Sequence, residues 1–171
     1  ETIDSLPSDH PVKFLGATAE NNGITDYCGI EAIRYSSKTG DSDNSLDGKL
    51  FDGNCISITN DGSVCHAYYQ NELFTSSHDQ TICVPRFNLT PAMALFICTI
   101  INRERFKWSY GRKLHDLNKS KAIVIKLPIQ CDAFGNPVID PEKKYSDKGY
   151  IPDWDFMERY IDSLPYSDKI A

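Results

Sequence analysis

A chain of 171 residues suits one domain or a domain with a small appendage, and it is long enough to bury a core without staples. Apolar residues make up 40% and charged residues 25%, a balance that excludes a disordered or membrane-embedded chain. The formal net charge of −6 argues mildly against nucleic-acid contact, but the mean hides an asymmetry. Residues 103–126 hold Arg103, Arg105, Lys107, Arg112, Lys113, Lys119, Lys121 and Lys126 against only Glu104 and Asp116, while acids gather at 41–52 and 153–168. Read blandly, this is a solvated charged face; read functionally, it is the localised positive field that phosphate contact requires.

The longest apolar run, residues 92–101, is broken by Thr99 and is about half of the roughly 20 residues a bilayer span needs. No basic start followed by an apolar block marks a signal peptide. The start at Glu1 reads as a fragment or a processed product, and the chain is expected in the cytoplasm as a single domain over 1–171. The six cysteines show no pair at two-residue spacing, and in a reducing compartment they read as small buried apolar groups.

In chain order, residues 1–11 carry Pro7 and Pro11 and read as an extended arm. Residues 12–19 read as a first strand, and Glu20-Asn21-Asn22-Gly23 as a turn, because Asn and Gly tolerate positive φ. Residues 30–35 have strand character, and 38–53 read as a polar surface loop. A hairpin follows, with arms at 54–59 and 63–69 about a turn at Asn60-Asp61-Gly62. Leu73-Phe74 and 81–85 predict two short strands.

Thr90 is placed to cap a helix whose first residue is Pro91. The stretch 93–101 is apolar almost all round, which predicts a helix central to the core. It runs out near Arg105 into the basic, aromatic stretch 106–113. Residues 122–127, ended by Pro128, form a β-branched run that predicts a strand, and 132–149 is a turn-rich connector. Asp153 can cap a last helix on which Trp154, Met157, Tyr160, Ile161 and Leu164 share one face, ended by Pro165. The fold class expected is α+β: a twisted, mostly antiparallel sheet around one buried core helix, with a short C-terminal helix.

Several of these segments carry a resemblance. Asn21-Asn22-Gly23-Ile24, Tyr68-Tyr69-Gln70 followed by Leu73-Phe74, and Ala94-Leu95-Phe96-Ile97 with Ile100-Ile101 are three of them. Phe106-Lys107-Trp108-Ser109-Tyr110-Gly111-Arg112 and Ile125-Lys126-Leu127-Pro128 follow, and Pro152 to Ile161 with Ser163 to Ser167 closes the series. In this order, over about residues 20–168, they resemble segments of the target-recognition domains in specificity subunits of type I and type IIG/IIB restriction–modification systems. The second recognition domain and long spacer helices that members often carry have no counterpart here, so the chain reads as half a specificity subunit or the recognition end of a larger fused enzyme.

The resemblance implies sequence-specific recognition of double-stranded DNA by a non-catalytic component. The chemistry then belongs to a DNA methyltransferase subunit and a restriction subunit or fused nuclease. It implies no cofactor, no metal and no membrane partner. Reading duplex DNA requires cations for phosphates and hydrogen-bonding side chains for base edges. That assigns Lys107, Arg112 and Lys113 to phosphates or base edges, Tyr110 to a place beside the groove, and Gly111 to close backbone approach. Asn21, Asn22 and Gln70 are the candidate polar readers, and Gly23 of the same turn joins them in the DNA-binding set. The plainer alternatives are a hairpin turn for Asn21-Asn22-Gly23, a core anchor for Trp108, and complementation of a helix end for Arg103 and Arg105.

Two other function classes stand beside this one. A small stand-alone hydrolase draws attention to Cys65-His66, but strand neighbours point to opposite faces and would not form a nucleophile–base pair. His10, His66, His78 and His115 lack zinc spacing. A protein-interaction module that docks a methyltransferase without reading DNA is the other, and it predicts binding insensitive to salt.

Overall fold

The computed structural model describes residues 6–36, 44–108, 113–114, 124–165 and 167–169. Their order is β1 (Pro11–Leu15), β2 (Ile24–Gly29), α1 (Ile30–Arg34), β3 (Leu50–Phe51), β4 (Cys55–Thr59), β5 (Ala67–Gln70), β6 (Phe74–Ser76), β7 (Gln80–Cys83), α2 (Pro91–Arg103) and α3 (Trp154–Asp162). The fold is α+β, with the strands divided between two open sheets. One runs β2-β1-β6-β3 and is mixed, because β1 and β6 pair in parallel. The other runs β5-β4-β7 and is antiparallel throughout.

All five residues of β4 are buried, because it is the middle strand of its sheet and is covered on both faces. Ile56 and Ile58 join the core beneath α2. Cys55, on the opposite side of the pleat, packs with Leu15 and Phe74 of the other sheet. The two-residue alternation of this strand thus ties the layers together.

α2 begins as its sequence requires. The Thr90 hydroxyl accepts from the Met93 amide at 3.3 Å, and Pro91 occupies the first turn, where a missing N–H costs nothing. Met93, Ala94, Ile97, Cys98 and Ile101 form its buried stripe at helical spacing. The other flank is covered by α3, whose N-cap Asp153 accepts from the Phe156 amide at 3.0 Å. Met157 and Ile161 of α3 are buried, and Phe96 meets Phe156 and Tyr160 edge-on. Thr90 also donates to Glu158 Oε1 at 2.6 Å, so one hydroxyl caps α2 and binds α3 to it.

Two expected strands take other forms. Residues 30–35 are not a strand: β2 ends at Gly29, and α1 follows with Ile30 and Ile33 buried three positions apart. That spacing sends both isoleucines to the core cluster of Val12 and Leu50, and tertiary packing overrides β-propensity. Of the run at 122–127, residues 124–127 are described and lie in no strand. Val124 is exposed, whereas Ile125 and Leu127 tuck against the α2 core. Among the described residues no strand pairs with them, so their apolar side chains are used in packing rather than in a ladder.

Residues 7–10 make a turn, with the His10 amide donating to Pro7 O at 3.0 Å. Among the described residues no helix is long and apolar enough to cross a membrane.

Met157 is fully buried between α2 and α3. Met157→Ala is expected to cost about 2–5 kcal/mol, lowering the melting temperature by about 5–15 °C in a thermal unfolding scan followed by circular dichroism.

Candidate functional site

The Asn21-Asn22-Gly23 turn is built on left-handed backbone, with φ of 48°, 52° and 82°. Asn and Gly are the residue types that tolerate this region. Gly23 has a second reason to lack a side chain, since a Cβ there would stand 3.1 Å from the Tyr68 ring. Asn21 Nδ2 donates to Ile24 O at 3.0 Å and closes the turn on itself. Asn22 Nδ2 donates to Tyr69 O at 3.1 Å and attaches it to β5.

β5 is an edge strand, and its outward backbone groups need partners. Asn102, in the last turn of α2, supplies a matched pair. The Ala67 amide donates to Asn102 Oδ1 at 2.8 Å, and Asn102 Nδ2 donates to Ala67 O at 3.1 Å. With Asn22 on Tyr69 O, two side-chain amides do for alternate residues of β5 what a further strand would do. They also fix the turn and the end of α2 to the same edge.

Gln70, expected among the polar readers, is 1% exposed. Its Nε2 donates to Asn22 O and Ser57 Oγ, each at 3.1 Å. In this geometry it props the turn from beneath, while Asn21 and Asn22 stand exposed.

Cys65 and His66 lie before β5 in the β4–β5 connection, not on a strand as expected, and Cys65 has φ of 61°. Their side chains find different partners. Cys65 is buried, with its Sγ toward Ile101 O at 3.9 Å. His66 Nδ1 lies 2.9 Å from Ser63 O, which fixes the ring as the Nδ1–H tautomer, because a carbonyl only accepts. Its Nε2 then accepts from Arg105 Nη1 at 2.7 Å. The His66 ring stacks with that of Tyr68, centroids 6.5 Å apart, and Tyr68 donates to Thr18 O at 3.1 Å. A continuous row therefore runs Arg105, His66, Tyr68, Gly23.

The lysines predicted for the site are both ion-paired. Lys107 pairs with Glu104, and Lys113 with Asp61 at 2.8 Å. Lys113 is thereby held against the β4–β5 connection, to which Asp61 belongs and where the Leu114 amide donates to Asn60 O at 2.9 Å. Tyr110, Gly111 and Arg112 lie outside the described residues. Trp108 is half-buried against the core cluster of α2. The residues missed from sequence are His66 and Tyr68 as members of this row, Arg105 as its cation, and Asn102 as its anchor. The signal was the chance to satisfy an edge strand, which appears only when strand order is known.

Among the described residues no group of three His, Cys, Asp or Glu side chains is placed to hold a metal. Burial pushes the thiols of Cys55 and Cys65 up to about 11 and that of Cys98 to about 12, and the cations of Arg105 and Lys107 offset this only partly at Cys65. A thiol held neutral by burial is a poor nucleophile, since the thiolate is the reactive form.

Comparison with known proteins agrees with the motif resemblance. The chain is 27% identical over 159 residues to the specificity subunit S.BcgI of a type II restriction enzyme from Heyndrickxia coagulans. The chain is related to a restriction-enzyme specificity subunit. The match covers 92% of the chain and 36% of that subunit, so the chain spans about a third of the length of the protein it matches. No protein-family model matches the chain, and no solved structure matches it.

Removing Asn102 strands two groups of the buried residue Ala67. Asn102→Ala is expected to cost about 1–3 kcal/mol for each group left dry, read as a lower denaturant midpoint with unchanged slope. The thiols give a second check. At pH 8 the exposed Cys131 is expected to react with a disulfide reagent in the native protein, while Cys55, Cys65 and Cys98 react only after unfolding. Their folded pKa values lie above the unfolded value of 9.0. Stability is therefore full below pH 9 and declines as pH rises from there toward 11 and 12, measurable as a falling denaturant midpoint.

Proposed function

We propose that this domain recognises a specific sequence in double-stranded DNA and directs a partner methyltransferase to it, together with a restriction subunit or fused nuclease that performs cleavage. The observation that carries this reading is the convergence on one edge of β5 of an exposed polar turn and the basic end of α2. The name of the similar subunit, which is the specificity component of a restriction enzyme, supports it.

In this reading Asn21 and Asn22 present the polar groups of the turn, and Gly23 and Gln70 hold its shape. Lys107, Arg112 and Lys113 contact phosphates and set register, with Tyr110 and Gly111 beside the groove. On meeting a phosphate, Lys107 and Lys113 exchange Glu104 and Asp61 for a stronger anion. Such surface pairs contribute only about 0–1 kcal/mol, so the exchange costs little. The chain contributes no catalytic group, works in the cytoplasm and requires no cofactor.

A second reading is favoured by a specific feature. Phe156, Tyr160 and Leu164 are exposed along a groove of about 300 Å³ between α2 and α3, a surface that suits docking of a protein partner. A module that only docks a methyltransferase binds no duplex. A DNA reader binds with an affinity that falls steeply as salt rises.

Duplexes selected from a random pool, with and without the cognate methyltransferase, test the proposal directly. The double variant Arg112→Ala, Lys113→Ala is expected to keep its melting temperature, bind duplex more weakly and lower the slope of log K against log salt by about two. An unchanged slope in the folded double variant overturns the phosphate assignment.

A further inference from the structure

Arg105 differs from the other described cations of the basic stretch whose contacts involve charge. Lys107 and Lys113 each face a carboxylate. Arg105 faces a neutral imidazole, so its contact orients the guanidinium without cancelling its charge. Two of its five N–H donors are engaged, Nε on Asn102 O at 3.0 Å and Nη1 on His66 Nε2 at 2.7 Å. The side chain is nevertheless exposed. Both anchors are themselves fixed: Asn102 is clamped to Ala67, and His66 is held through Ser63 O and the Tyr68 ring. An exposed arginine on an unbraced stem loses much rotamer freedom on binding, about 2 kcal/mol for the side chain, and here part of that loss has already been met in the free protein.

We propose that Arg105 is a base-reading residue of this domain and that His66 is its positioning residue. This rests on the DNA-reading function proposed above. A guanidinium held at two points keeps three N–H donors for an outside acceptor, and guanine offers O6 and N7 as a matching pair. A phosphate contact needs only charge, which a mobile lysine provides; a preset fork is of use where geometry must be read. His66 fits the positioning task because its Nδ1–H is committed to Ser63 O, which leaves Nε2 as an acceptor aimed at Arg105. A cationic residue at this place would repel the guanidinium, and an apolar one would leave it to swing.

The test uses the 171-residue chain and the duplex that it selects from a randomised pool, compared with versions altered one base pair at a time. The wild type is expected to discriminate at one guanine-containing position by about five- to a hundredfold. Arg105→Lys is expected to lose that discrimination while keeping the slope of log K against log salt, because it retains the charge and loses the fork. Arg105→Ala loses the discrimination and lowers the slope by about one. His66→Phe, which preserves the ring stack, reproduces the Arg105→Lys pattern, and His66→Gln, which preserves an acceptor, restores discrimination.

If the wild type retains no duplex in a salt-dependent way, the DNA-reading function fails, and this inference fails with it. Should the wild type discriminate and Arg105→Lys discriminate equally at every position, the function stands and the inference is overturned. Discrimination lost in Arg105→Lys but kept in a folded His66→Phe overturns the role of His66 alone. Arg105→Lys alters only an exposed side chain, so the test holds even where a His66 variant is unstable.

Discussion

The structure depends on how the free edge of β5 is closed. A strand at the margin of a sheet presents unpaired amides and carbonyls, and when buried these must find partners or cost free energy. Here Asn102 pairs with both groups of Ala67, and Asn22 takes the carbonyl of Tyr69. Each is an amide side chain, the one neutral type that donates and accepts in the plane of a peptide. Because one asparagine sits in a left-handed turn between β1 and β2 and the other in the last turn of α2, closing the edge also brings those two elements to it. The candidate site follows from a stability requirement.

Charge is distributed by the same geometry. The chain is acidic overall, yet α2 carries Arg103 in its last turn and is followed by Arg105, at the end where the helix dipole favours cations. α2 can lie against the core because its apolar stripe packs on Ile56 and Ile58 of β4, with Met157 and Ile161 of α3 on its flank. Its polar end is then fixed to the edge of β5 through Asn102, with Arg103 exposed beside it. Much of the acid lies elsewhere, in exposed turns such as that of Asp132, whose carboxylate is held below its usual range by hydrogen bonds from Asn136, Phe134 and Gly135. The cations of residues 103–126 are thus concentrated in a chain whose net charge is −6, and charges within a Debye length of about 10 Å weigh more than that mean.

Much of the fold was legible in the sequence. The Thr90-Pro91 helix start, the Asp153 cap, the hairpin arms at β4 and β5 and the left-handed asparagine turn each rest on interactions between near neighbours. The failures share the opposite property. Residues 30–35 form a helix because Ile30 and Ile33 find a common core with Val12 and Leu50, distant in the chain. Residues 124–127 have strand composition but no strand beside them among those described. The polar candidates show the same division: Gln70 was visible as a polar residue near a strand end, but its burial under Asn22 depends on a contact 48 positions away.

By itself the sequence determined where turns and helix ends fall, which helix is apolar enough to occupy the centre, and which stretch concentrates positive charge. Those properties are set by backbone sterics, capping hydrogen bonds and periodicity over a few residues. Only the tertiary structure decided which strand forms the exposed edge, which cations face carboxylates and which a neutral ring, and that Asn102, His66, Tyr68 and Arg105 belong to one row. Bonds such as Ala67–Asn102 and His66–Arg105, 35 and 39 positions apart, depend on closing long loops and satisfying buried polar groups across them, and no local window of sequence contains both partners.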